Sequence, residues 1–438
     1  MSGALICLSV YGSTQEICDQ IRNHDADLYE IRLDLSDQPN AAEIRATTSK
    51  PVLITAHGNP GLLNEYRSIA DFIDVEQAQA TTPDSIVSIH TGDQDPDQLW
   101  AKLQGDHITK IVVETENYQR IAGLLRLNRT HSPKAICFAS GEIGSFSRIL
   151  SALNGARWIY ASLPGRATGN GQFTIQDLLE VYRIRRFKSG QELSVFGIVG
   201  DPVAHSLSPP LQNKKFSDVS LPWIYLPFRC TNLKQLFEQA PGWNTKGFSI
   251  THPYKEEALS FLDHASPETK EIRSCNTVAF MNGRLHGTNT DLVGIRALVS
   301  QVALSNARVI ILGAGASARA IAFVVRPHVA ELTFLNRTQQ KAQQIASEFQ
   351  GESGALEDLP NLQYDVLFQA TSLGWKAGEC PVNPDHLRPA TTVIDAVYQE
   401  TELLKRAKAL GCRTINGETW FRAQAEAQFC WWKSQAQS

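Results

Sequence analysis

Up to about residue 190 the chain alternates short apolar runs with polar or amphipathic stretches. The runs are "ALICLSV" (4–10), "LYEIRLDL" (28–35), "PVLITA" (51–56), "DFIDVE" (71–76), "SIVSIH" (85–90), "ITKIVVE" (108–114), "KAICFAS" (134–140) and "WIYASL" (158–163). Eight strand-like runs separated by helical stretches predict an α/β architecture, a (β/α)8 TIM barrel spanning residues 1–190. Such barrels typically take about 250 residues, so the connections must be tight. A barrel gathers its chemistry at the C-terminal ends of the strands. Glu30 and Arg32 lie in the second run, His57 follows the third, His90 closes the fifth and Lys110 sits within the sixth; Arg148 and Gln172 follow the seventh and eighth. Lys110 stands among isoleucines and valines, where an ammonium is destabilising unless it finds a partner or gives up its proton. An amine that loses its proton readily is a nucleophile; the plain alternative is an edge strand with Lys110 turned to water.

A second pattern opens at "LSVFGIVGDPVAHSLSPPLQN" (193–213), after the charged, Gly190-containing junction "RRFKSGQE" (185–192), which suits a linker. From residue 307, "ARVIILGAGASARAIAFVV" reads as strand, glycine turn and helix, followed by strand-like "LTFLN" (332–336), "YDVLFQA" (364–370) and "TTVIDAV" (391–397). This is a doubly wound, dinucleotide-binding pattern. The aromatic residues of "TWFRAQAEAQFCWW" (419–432) predict a helix docked on a core.

At 438 residues two or three domains are expected. A net charge of -4, with both signs interspersed, gives no electrostatic case for nucleic acid. No apolar run reaches the roughly 20 residues of a membrane span, and "MSGALICLSV" lacks the layout of a signal or transit peptide. The eight cysteines show neither C-x-x-C nor metal-ligand spacing. Free thiols in a reducing cytoplasm, with no metal, are expected. The pattern leaves the oligomeric state open.

"GAGASA" (313–318) matches G-x-G-x-x-A between a strand and a helix. Gly313 and Gly315 would permit the tight turn and close approach to a pyrophosphate, with Ala314, Ala316 and Ser317 completing the loop. The next strand ends in Asn336, Arg337 and Thr338; an arginine there, in place of an acidic residue, favours NADP over NAD. Lys255 and Asp291 could pair so that a carboxylate holds an ammonium ready to donate a proton. Ser206 and Ser208 are spaced to bind one anionic group.

The stretches "GDPVAHSLSP", "GFSITHPYK", "CNTV…GTNTD", "GAGASARA", "NRT", "QATSLG" and "DAVYQETELL" resemble shikimate dehydrogenase. "EIRLD" (30–34), "VSIH" (87–90), "TKIVV" (109–113), "GSFSR" (144–148) and "ATGNGQFTIQDL" (167–178) resemble type I 3-dehydroquinate dehydratase. The resemblance covers essentially the whole chain, in the order of the fused bifunctional enzymes of plants and certain bacteria. It implies a barrel followed by a two-lobed dehydrogenase at 191–438: a substrate lobe at about 193–295 plus a C-terminal helix at about 418–438, and a Rossmann-type NADP-binding lobe at about 300–417. In the barrel it implies that Lys110 forms a Schiff base with the substrate ketone and that His90 is the acid and base. Glu30 and Arg32 would orient the ring and the histidine, Arg148 would clamp the carboxylate, and Thr168 and Gln172 would complete a lid. In the dehydrogenase it implies Ser206 and Ser208 on the substrate carboxylate, Lys255 and Asp291 at the ketone, and Thr251, Asn276 and Gln424 on the ring hydroxyls. Tyr398 would stand near the crevice, with Gly417 among the cofactor-binding residues.

Three positions depart from the resemblance. His57 stands where the dehydratases usually carry arginine, which makes it a substrate-binding candidate of a different kind. "TGNGQ" (168–172) replaces the usual S-A-P-G-Q lid and loses the proline's stiffness, and Ser249 stands where asparagine is frequent. The expected function is conversion of 3-dehydroquinate through 3-dehydroshikimate to shikimate with NADPH. The alternatives are a catalytically inactive metabolite-sensing regulator and a catabolic NAD-dependent quinate/shikimate dehydrogenase.

Overall fold

The structure, a computed structural model, describes residues 3–57, 60–76, 84–188, 191–204 and 206–436. Ser189 and Gly190 of the expected linker lie outside the described residues. The chain divides into two compact units, Met1–Lys246 and Gly247–Ser438.

In the first unit the eight apolar runs become β1 (Ile6–Val10), β2 (Leu28–Arg32), β3 (Val52–Thr55), β4 (Phe72–Glu76), β5 (Ser85–Thr91), β6 (Ile108–Glu114), β7 (Ala135–Ser140) and β8 (Ile159–Ala161). They form one parallel sheet in the order β7-β6-β5-β4-β3-β2-β1-β8. The eight strands curl like a barrel, with the last strand seated beside the first. Helix starts are fixed by side chains: Ser13 and Glu16 form a capping box on Thr14–Asn23, while Asp95 and Asn117 cap Pro96–Leu103 and Tyr118–Thr130.

Strand periodicity builds the barrel interior in layers. Cys7, Leu28, Leu53, Ile86, Ile108, Ile136 and Trp158 cluster as an apolar floor, with Phe72 packed on it. Two residues further along each strand the same face carries Ser9, Glu30, Thr55, Asp74, Ser88, Lys110, Phe138 and Tyr160, all buried. Most of that layer is polar. The unit continues into β9 (Ser194–Gly200) and β10 (Trp223–Arg229), a parallel pair linked by helix Ser208–Asp218. Phe146 of the barrel meets Phe228 and Trp243 at ring-centroid distances of 4.4 and 5.1 Å. Tyr118 donates its hydroxyl to the Arg229 carbonyl at 2.9 Å.

In the second unit, β11 (Thr245–Ile250) pairs antiparallel with β13 (Thr277–Met281) from Gly247 onward; β13 forms a hairpin with β14 (Arg284–Thr288), and β12 (His264–Ala265) runs parallel to β14. A separate parallel sheet comprises β15 (Arg308–Leu312), β16 (Glu331–Leu335), β17 (Glu352–Gly354), β18 (Val366–Gln369), β19 (Thr392–Asp395) and β20 (Arg413–Ile415). Its order, β17-β16-β15-β18-β19-β20, is the 3-2-1-4-5-6 order of a doubly wound dinucleotide fold. The C-terminal helix Glu418–Gln435 buries Trp420, Phe429 and Trp432, the docking face expected from its aromatic residues. Gly294 leaves no room for a β-carbon against Trp420 of that helix.

Candidate active sites

A cavity of about 560 Å³ opens above the polar layer of the barrel, lined by Glu30, Arg32, His57, Glu76, His90, Lys110, Arg148, Tyr160, Thr168 and Gln172 among others. Lys110 does not face bulk water: it is 4% exposed and its ammonium donates to Asp74 Oδ2 at 2.8 Å. It also lies over the Tyr160 ring, 4.5 Å from the centroid. Burial alone would push the Asp74 carboxyl up, but the Lys110 charge and hydrogen bond, with Ser88 adding to them, bring it below the usual carboxylate range. His90, at the end of β5, is exposed toward the cavity by accessible surface, yet loss of solvent around its ring and the neighbouring Lys110 charge push it down to about 3, with Asp74 opposing. Its imidazole is therefore neutral and free to accept a proton at physiological pH.

Each remaining barrel residue has an identifiable tether. Glu30 accepts from Ser9 and, at 2.9 Å, from Thr55. Arg32 makes a two-pronged pair with Asp34 at 2.9 and 2.7 Å, so Ser9 and Thr55 hold the Glu30 carboxylate and Asp34 holds the Arg32 guanidinium. His57 Nδ1 lies 2.6 Å from Glu76 Oε1, and the His57 and His90 rings meet edge-on at 5.2 Å. Arg148 is 6% exposed, lies 4.4 Å over the Phe138 ring and donates to the Asn170 carbonyl at 2.9 Å; burial lowers it to about 10, which still leaves it cationic. Gln172 accepts from the Thr168 amide at 2.8 Å and hydroxyl at 3.1 Å, closing residues 168–172 into a loop over the cavity.

In the second unit Lys255 donates to Asp291 Oδ2 at 2.6 Å, and Trp420 Nε1 donates to Asp291 Oδ1 at 3.0 Å. Asn276 Oδ1 accepts from the Thr290 amide at 2.7 Å, tying "CNTV" to "GTNTD" beside that pair. Thr290 donates to Gln424 at 3.5 Å, and Ser249 donates to Gln428 at 2.9 Å, so the serine at the variant position serves packing of the last helix. Thr251 is half-buried between β11 and Lys255. Tyr398 packs between Trp375 and Phe421, at 4.8 and 5.0 Å. Ser206 and Ser208 belong to the first unit; Ser206 Oγ accepts from the Ser208 amide at 3.2 Å at the start of helix Ser208–Asp218.

The glycine loop after β15 sits where the order of the parallel sheet reverses, between β15 and β18. Gly313 has φ +110°, and a β-carbon there would lie 3.0 Å from the Ala370 carbonyl oxygen. Gly315 faces open space and precedes helix Ala316–Val325, whose first amides are free for a phosphate. Ala314, Ala316 and Ser317 are half-buried around it, and Arg337 and Thr338 are exposed at the end of β16, with Asn336 Nδ2 donating to the Thr338 carbonyl at 2.9 Å. Gly417 has no room for a side chain against Ala396. These residues fit a dinucleotide with a 2′-phosphate.

Sequence reading missed Asp74, Glu76, Ser9, Thr55 and Trp420. The strand period could have found the first two: Phe72 faces the floor, so Asp74 and Glu76 must face the barrel interior. Trp420 carries no such signal, because its partner lies far off in the sequence.

The type I 3-dehydroquinase family model matches residues 6–189, the shikimate dehydrogenase substrate binding domain 198–278, and the shikimate / quinate 5-dehydrogenase model 297–375. The chain is 30% identical to the chloroplastic bifunctional 3-dehydroquinate dehydratase/shikimate dehydrogenase of Arabidopsis thaliana, over 97% of this chain and 81% of the relative. It is 36% identical to the shikimate dehydrogenase (NADP(+)) of Pyrococcus abyssi, over 55% of this chain and 92% of the relative. Crystallographic shikimate dehydrogenase from Aquifex aeolicus superposes with a TM-score of 0.53 and 32% identity, covering 56% of this chain and 95% of that one. The chain therefore belongs to the family of bifunctional 3-dehydroquinate dehydratase/shikimate dehydrogenases.

Proposed function

We propose that the chain converts 3-dehydroquinate to shikimate in two steps of aromatic biosynthesis, acting as a lyase in residues 1–190 and as an NADP-dependent oxidoreductase in 191–438, in a reducing cytoplasm where its cysteines stay free. The substrate lobe is assigned to about 193–295 with the helix at about 418–438, and the NADP lobe to about 300–417. The observation that carries the reading is the buried Lys110–Asp74 pair, whose lysine lines a cavity shared with His90.

In the first step Lys110, once its proton has left, attacks the ketone carbon; water departs and an iminium joins nitrogen to the ring. That iminium accepts the electron pair released when His90 removes a proton from the adjacent carbon. The protonated His90 then returns its proton to the departing hydroxyl, so one water is lost from the ring. Hydrolysis frees 3-dehydroshikimate and the amine. Asp74 counters the positive charge on nitrogen throughout, Arg148 clamps the carboxylate, and Thr168 with Gln172 closes the cavity. Glu30, Arg32 and His57 hold the ring.

In the second step Ser206 and Ser208 bind the carboxylate, and Thr251, Asn276 and Gln424 the ring hydroxyls, with Tyr398 at the crevice. Lys255, held by Asp291, donates the proton to the ketone oxygen. NADPH, when bound, supplies the hydride. Gly313–Ser317 would hold its pyrophosphate, Asn336, Arg337 and Thr338 its phosphorylated ribose, and Gly417 would stand beside it. Both lysine–aspartate pairs are intact, which counts against an inactive regulator.

Purified chain given 3-dehydroquinate and NADPH should oxidise NADPH and release shikimate. If no enoate absorbance forms, the dehydratase assignment fails; faster oxidation of NADH than of NADPH would overturn the cofactor assignment.

A further inference from the structure

His57 stands in the barrel cavity where the resemblance leads one to expect an arginine, and the structure gives it a partner that the sequence reading did not assign. Glu76 Oε1 lies 2.6 Å from His57 Nδ1, at the end of β4. An ionised carboxylate can only accept, so the proton sits on Nδ1 and Nε2 is left for a ligand. Both side chains line the cavity that holds Lys110 and His90. The pair also fixes the ring plane, since His57 meets His90 edge-on at 78° and 5.2 Å. A free imidazole at a strand end could rotate about two torsions; one tied through Nδ1 cannot.

We propose that Glu76 is a positioning residue for the dehydration step, acting through His57. It selects the Nδ1–H tautomer and aims Nε2 at the polar substituents of the bound ring, so that Glu76 and His57 together do the anchoring otherwise left to one arginine. This rests on the dehydratase reading of the cavity. Glu76 is half exposed, its side chain 48% open, so replacing it leaves no buried orphan charge and the variants should fold.

The test is steady-state dehydration by the full chain together with nitrogen-15 shifts of labelled histidine. Glu76→Leu should raise KM for 3-dehydroquinate about tenfold, the scale of one hydrogen bond to a charged group, with kcat changed less than about twofold on the same scale. Glu76→Gln, which keeps an oxygen acceptor, should lie nearer the parent enzyme. In Glu76→Leu the His57 proton should shift from Nδ1 toward Nε2, and 3-dehydroshikimate reduction should be unchanged. An unaltered KM, a loss in kcat alone, or an unmoved His57 tautomer would overturn the proposal while parent turnover stands. A parent chain without dehydration would instead strike the reading of the cavity, and the nitrogen shifts would still decide whether Glu76 holds the ring.

Discussion

Lys110 illustrates what one residue reveals and what it conceals. A lysine inside an apolar run announces either a partner or a lost proton, and the structure supplies the partner, Asp74, at 2.8 Å. The acid was not legible from its own run, "DFIDVE", where it reads as one of three carboxylates on a moderately polar strand. It becomes legible only when facing is assigned from Phe72. Breaking such a pair is more costly than never having had it, because one charge is left buried and alone. Asp74→Ala should therefore destabilise the first unit by about 3–5 kcal/mol, measured by urea unfolding at neutral pH. Because the folded-state carboxyl is depressed, its contribution is present above the unfolded value of about 3.9 and is lost as pH falls through the lower folded value. The gap between parent and variant should accordingly close on acidification below about pH 4; a gap that widened there would show the carboxyl to be raised.

At the scale of elements, the eight barrel strands and the main strands of the nucleotide lobe were legible because each is a short apolar run between polar stretches. Strand β17, "ESG", was not: it carries no hydrophobic signature, and only its pairing with β16 makes it a strand. The two-residue β12 was hidden for the same reason. The glycine loop shows how two like residues differ once placed. At Gly313 the positive φ and the Ala370 carbonyl both oppose a side chain, so Gly313→Ala should lower stability by about 1–3 kcal/mol. At Gly315 a β-carbon meets nothing, so Gly315→Ala should leave the melting temperature unchanged but raise KM for NADPH. Equal melting loss in both variants would mean the second glycine serves the fold and not the cofactor.

For the whole molecule, the pattern break near residue 190 and the compact unit ending at Lys246 fall at different places. The reason is the aromatic cluster of Tyr118, Phe146, Phe228 and Trp243, which seats β10 and the turn after it on the barrel. All four rings are buried, and aromatic contacts between segments far apart in sequence leave no trace in local periodicity. A fragment ending at residue 190 should therefore expose Tyr118 and Phe146 and melt at a lower temperature than one ending at residue 246. Identical melting of the two fragments would show that the cluster contributes little.

Dehydration as proposed turns on the barrel amine as the nucleophile, and the direct measurement is peptide mass after borohydride treatment with 3-dehydroquinate. The predicted result is a reduced substrate adduct on the peptide carrying Lys110, absent from Lys110→Ala. An adduct that persists in that variant, or no adduct in an enzyme that turns over, would contradict it.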